Sequence, residues 1–111
     1  MYSSSFMAAA AFGLLLSGGA PGTAATPKPV THTVVIERMQ FDPAVLTVKV
    51  GDIIVWINRD PFPHTATAHG GPFDSHEIAA ARSWKYTAKK GGVFPYACTL
   101  HPTMLATLRV E

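Results

Sequence analysis

The chain has 111 residues, with nine Lys or Arg against seven Asp or Glu for a net charge of +2; hydrophobic residues make up 48% and charged residues 14%. That length suits one domain, and the apolar share excludes disorder over most of it. So mild a positive balance excludes nucleic-acid binding, which needs a concentrated basic face; the one basic cluster, Lys89-Lys90 with Arg82 and Lys85 nearby, reads as a solvated loop and strand edge.

Residues 1–25 carry no charged side chain. Phe6 to Leu16 is an apolar run of signal-peptide length, too short to span a bilayer, and small residues from Gly22 to Ala25 follow as a cleavage region. The leading MYSSS lacks the usual Lys or Arg, but no amphipathic period marks the segment as a core helix. The expectation is a signal peptide over 1–25 and one domain over 26–111, exported to the periplasm, with no membrane span after cleavage.

Strand signals then recur at short intervals. His32 to Arg38 is rich in β-branched residues, Phe41-Asp42-Pro43 reads as a turn, and Val45 to Val50 partly alternates. Gly51-Asp52 signals a tight hairpin, and Ile53 to Asn58 is an apolar run suited to a central strand. Arg59 to Pro63 breaks the sheet, and His64 to Ala68 resumes it. His69 to Ala81 reads as a loop with one helical turn over 75–81. Trp84 to Ala88, Gly92 to Ala97 and Leu105 to Val110 complete about seven strands. No crossover helices are visible for a βαβ fold, so the predicted architecture is all-β, a small Greek-key antiparallel β-sandwich. Trp56, Phe94 and Trp84 are candidate core aromatics.

The chain has a single cysteine, Cys98, so it cannot staple itself with a disulfide. Cys98 opens the run Cys98-Thr99-Leu100-His101-Pro102-Thr103-Met104, a Cys-x2-His-x2-Met spacing. A lone Cys is more often a small buried hydrophobe, and a lone Met is usually core. Together, a thiolate and an imidazole with a distant thioether are most of the donor set of a type 1 copper site, which needs a second imidazole. His64, opening a strand after the Asn58–Pro63 turn, supplies it best. His69 is the rival, at an odd offset that turns it to the other face of a regular strand. His76 falls in a loop, and His32 reads as a surface residue.

The segments Met39 to Asp60, Pro63-His64-Thr65, Phe73-Asp74-Ser75 and Tyr96 to Met104 resemble the cupredoxins of the plastocyanin/amicyanin type, and the short ligand loop with Pro102 is most similar to the amicyanins. The resemblance implies one copper ion per chain, cycling between Cu(I) and Cu(II) and held by His64, Cys98, His101 and Met104. It also implies a single-electron carrier rather than an enzyme, docking briefly with redox partner proteins around His101. A dehydrogenase would be the donor and a c-type cytochrome the acceptor. Thr65 stands where such sites usually have an Asn that ties the two ligand loops together. Leu100, Pro102, Leu105 and Pro61-Phe62-Pro63 are candidates for an apolar ring around His101. A monomer is expected. The alternatives are a copper carrier using the same ligands and a zinc enzyme with an open coordination position; a thioether at that position argues against the second.

Overall fold

The computed structural model describes residues 28–111; the expected signal peptide lies outside the described residues. Eight strands follow in chain order: β1 (Thr31–Glu37), β2 (Gln40–Asp42), β3 (Val45–Val48), β4 (Ile53–Asn58), β5 (Thr67–Ala68), β6 (Ser83–Thr87), β7 (Gly92–Ala97) and β8 (Leu105–Val110). They form two four-stranded sheets, ordered β2-β1-β4-β6 and β3-β8-β7-β5. Among the described residues no helix is long and apolar enough to cross a membrane.

The sandwich follows from period-two burial. Val34 and Ile36 of β1 and Ile54 and Trp56 of β4 point inward with no exposure, facing Tyr96 of β7 and Ala106, Leu108 and Val110 of β8. Trp56 sits at the centre, edge-on to Tyr96 at 5.6 Å between ring centroids, and Phe41 packs edge-on against Tyr96 at 4.8 Å. The Trp56 Nε1–H donates to Tyr96 Oη at 3.1 Å. Burial pushes the Tyr96 hydroxyl up to about 12, against the smaller opposing pull of that donor. Trp84 and Phe94 pack against this cluster half-buried.

The sheets are mixed, where a purely antiparallel arrangement was expected: β1 pairs parallel with β4, and β3 parallel with β8. A parallel pair needs a long crossover. Here the chain leaves β1, turns through β2, crosses to the other sheet as β3 and returns as β4, so strands of the facing sheet replace crossover helices.

The connections differ from the sequence expectation in four places. The turn expected at Phe41–Pro43 is a bend shifted onto Pro43 and Ala44, because Phe41-Asp42 belong to β2, and a further turn precedes it at Arg38 and Met39. Arg38 and Met39 both take positive φ, 56° and 61°, the geometry of a type I′ hairpin turn that normally favours Gly or Asn. Asp60 compensates from 22 and 21 residues away, accepting the Arg38 N–H at 2.8 Å and the Met39 N–H at 3.0 Å. Gly51-Asp52 does turn the chain, with Gly51 at φ 99° and the Asp52 N–H on the Lys49 carbonyl at 2.9 Å, but β3 and β4 lie in different sheets. The turn therefore joins the layers and makes no hairpin. Of His64–Ala68 only Thr67-Ala68 pair with β7. Residues 75–81 form no helical turn: Ile78 instead exchanges backbone hydrogen bonds with His64, at 2.7 and 3.2 Å.

Candidate metal centre

Cys98 follows directly on β7, and the loop to β8 is closed by its own backbone. The His101 N–H donates to the Cys98 carbonyl (3.2 Å), the Met104 N–H to the His101 carbonyl (2.9 Å) and the Cys98 N–H to the Met104 carbonyl (3.2 Å). The spacing of three between Cys98, His101 and Met104 is thus two successive tight turns, each carrying one candidate donor at its junction. Cys98 is fully buried and Met104 nearly so, at 3% exposure.

His64 arrives from the other side. It follows β4 through a loop organised by Asn58, a polar side chain with no exposure. Asn58 Nδ2 donates to the carbonyls of Phe62 (2.8 Å) and Ile78 (2.9 Å), and its Oδ1 accepts the Asp60 N–H (2.9 Å). Asp60 in turn accepts the His64 Nε2–H at 2.8 Å. An ionised carboxylate can only accept, so this contact places the imidazole proton on Nε2 and leaves the Nδ1 lone pair free. Burial disfavours the charged Asp60, but the Met39 N–H, His64 and the Arg38 N–H outweigh it and hold its carboxyl below the ordinary value.

The free Nδ1 of His64 lies 3.7 Å from Cys98 Sγ, and His101 Nδ1 also lies 3.7 Å from that sulfur. The three donor atoms all fall within 4.8 Å of one another. With a metal–sulfur bond of about 2.3 Å and metal–nitrogen bonds of about 2.0–2.1 Å, two ligands at tetrahedral to trigonal angles stand about 3.6–3.8 Å apart. Both sulfur–nitrogen separations therefore match those of a first-row metal site. One thiol and two imidazoles suit copper or zinc.

Thr65 takes over the tie between the ligand loops that an Asn was expected to make. Its N–H donates to Cys98 Sγ at 3.3 Å, and its Oγ1 accepts the Thr99 N–H at 2.9 Å. Sequence reasoning missed Asp60 as the partner of His64. The available signal was an acid four residues before the histidine, an unspecific one. The remaining histidines stand apart. His69 is exposed in the turn after β5 and is not one of the clustered donors. His76 has 85% of its side chain exposed beside Asp74. His32, expected free at the surface, pairs with Asp52 at 2.9 Å near the opposite end of β4.

Of the three clustered donors, His64 and Cys98 are buried and His101 alone reaches the surface. Phe62 flanks it, with ring centroids 5.8 Å apart. Of the residues expected to ring it, Phe62 (40%), Leu100 (44%), Leu105 (66%), Pro61 and Pro102 are exposed and Pro63 is half-buried.

Residues 29–111 match the family of copper-binding proteins described as plastocyanin/azurin. This chain belongs to the plastocyanin/azurin family. It is 34% identical over 85 residues to an amicyanin of Paracoccus denitrificans, covering 68% of this chain and 62% of that protein. It is 29% identical over 81 residues to the amicyanin of Paracoccus versutus, covering 68% and 61%. The chain thus spans somewhat less than two thirds of the length of these relatives. Among solved structures, a point mutant of Cu(I) amicyanin superposes with a TM-score of 0.68 at 26% identity, over 80% of this chain and 88% of that one. A copper-containing nitrite reductase from Thermus scotoductus superposes equally well, TM-score 0.68 at 29% identity, but the match covers only 25% of that enzyme.

Proposed function

We propose that this family member is an exported single-electron carrier holding one copper ion on His64, Cys98, His101 and Met104. The observation that carries the reading is the convergence of one buried thiol and two imidazole Nδ1 atoms, each 3.7 Å from the sulfur, from loops 34 residues apart in sequence. Bound copper supplies a one-electron couple between Cu(I) and Cu(II).

The protein's part is to hold the donors still and dry. Asp60 fixes the His64 ring and its tautomer, the Thr65 N–H tempers the charge on Cys98 sulfur, and three backbone bonds lock the loop that carries His101 and Met104. Met104, buried on that loop, would offer copper a weak thioether ligand. Donors that need no rearrangement between oxidation states keep electron transfer fast. His101 is the electron port, and the apolar side chains around it suit brief docking with a redox partner, a dehydrogenase as donor and a c-type cytochrome as acceptor. The zinc-enzyme reading fares worse, because a Met104 thioether would fill the coordination position that a catalytic zinc keeps open. Residues 1–25 act as the signal for export to the periplasm.

Visible absorption tests the ligand set. One equivalent of Cu(II) added to the protein is expected to give an intense blue thiolate-to-copper band, absent in Cys98→Ser. A colourless wild type, or absorption indifferent to that substitution, would overturn the assignment.

A further inference from the structure

A chain of side-chain hydroxyls runs from the surface to the Cys98 loop. Asp74 Oδ1 accepts the Thr67 hydroxyl at 3.0 Å and the His76 N–H at 2.8 Å. Thr67 Oγ1 lies 3.0 Å from Thr65 Oγ1, which accepts the Thr99 N–H at 2.9 Å and lies 3.2 Å from Thr99 Oγ1. Asp74 is held in place independently. Its segment runs antiparallel to residues 66–68, with the Ala68 N–H on the Phe73 carbonyl and the Ser75 N–H on the Ala66 carbonyl, both at 3.0 Å.

Proton counting fixes the direction of every bond in this chain. A hydroxyl has one proton to donate, and an ionised carboxylate has none. The His76 N–H, then the Thr67 hydroxyl and the His76 charge, outweigh burial and keep the Asp74 carboxyl below its ordinary value. Thr67 therefore gives its proton to Asp74 and must accept from Thr65. Thr65 gives its proton to Thr67, so both its lone pairs face Thr99 and receive that residue's N–H and hydroxyl. Without the carboxylate, the Thr65 and Thr67 hydroxyls could each point either way, and Thr65 would no longer be committed as the acceptor for Thr99.

We propose that Asp74 is a positioning residue for the metal centre: acting through Thr67 and Thr65, it sets the polarity of a hydroxyl relay that pins the Thr99 amide and keeps the Thr65 N–H aimed at Cys98 Sγ. A donor on the sulfur draws electron density from it and so favours the reduced metal, so the relay tunes the potential. That redox consequence rests on the copper assignment above; the pinning of Thr99 does not.

The test uses Thr67→Val, which removes the hydroxyl and keeps the branched shape, Thr67→Ser, which restores it, and Asp74→Ala. In the metal-free chain, NMR-detected amide exchange is expected to show the Thr99 amide losing about tenfold protection in Thr67→Val and in Asp74→Ala. The double variant should lose no more than either single one, Thr67→Ser should recover, and Val35 and Ile57 in the other sheet should keep their protection. In the copper-loaded protein, Thr67→Val, which removes no charge, is expected to lower the midpoint potential, and Thr67→Ser to restore it. Unchanged Thr99 protection, or equal losses at Val35 and Ile57, would overturn the relay. An altered exchange rate with an unmoved potential would overturn its role at the metal centre. Failure of the wild type to take up copper would count against the copper assignment alone, and the exchange data would still decide the relay.

Discussion

Replacing Asp60 with Ala removes an acceptor from three donors at once: the Arg38 and Met39 N–H groups and the His64 Nε2–H, at 2.8, 3.0 and 2.8 Å. The two backbone donors lie at exposed residues and can turn to water, but His64 has no exposure and cannot. A buried donor left unmet costs about 1–3 kcal/mol, and the positive-φ turn loses the bonds that offset its strain, adding about 1 kcal/mol. The sum is about 3 kcal/mol, or a melting temperature lower by roughly 12–24 °C for a domain of this size. Urea unfolding of the metal-free protein measures it. Asp60→Asn keeps an acceptor oxygen and the shape, and should lose about 1 kcal/mol. Copper affinity should fall about 10–100-fold in the Ala variant, because His64 loses the partner that fixes its tautomer. The sign with pH is set by the lowered carboxyl of Asp60. Its stabilisation is present above the unfolded value of about 3.9 and is lost as pH falls through the lower folded value, so the difference between wild type and Asp60→Asn should shrink below about pH 4. An Ala variant within about 0.5 kcal/mol of wild type, with unchanged copper affinity, would refute this account of how His64 is held.

Asp52 makes a parallel case near the other end of β4. The Val30 N–H, His32 and the Lys49 N–H bring its carboxyl down to about 2, so Asp52→Asn should remove part of the acid-induced loss of stability between about pH 4 and pH 2, read from unfolding midpoints across that range. Tyr96 has the opposite sign. With its hydroxyl pushed up to about 12, it stabilises the fold below about pH 10 and loses that contribution as pH rises through 12, so Tyr96→Phe should flatten the alkaline limb. The same variant strands the buried Trp56 Nε1–H and should cost about 1–3 kcal/mol at neutral pH, measured by the same unfolding experiment.

The parts of this protein legible in the sequence are those carried by short-range pattern. Cys98, His101 and Met104 share one seven-residue loop, so their spacing is visible directly. The β-branched and apolar runs of β1, β4 and β8 announce themselves by composition. His64 was readable because a histidine following a Pro-rich break at the end of a central strand has few places to go. What escaped depends on partners far along the chain. Nothing local marks Arg38 and Met39 as left-handed; the cause is Asp60, more than 20 residues later. Gly51-Asp52 carries a true turn signal, but whether a turn folds back or crosses between layers depends on where β3 finds its partner, which is β8. The 75–81 segment has helix-compatible residues, yet Ile78 is claimed by His64 and Asn58. Thr65 looked like the loss of an Asn tie; its hydroxyl makes that tie through Thr99, a contact 34 residues away.

The most direct test of the central claim is a redox titration of the one-copper protein followed through its blue band. The account predicts one reversible, one-electron transition, with the metal retained through repeated cycles because His64, Cys98 and His101 are held in place without it. Release of copper on reduction, or a band that does not return on reoxidation, would contradict the electron-carrier reading and favour a protein that delivers the ion itself.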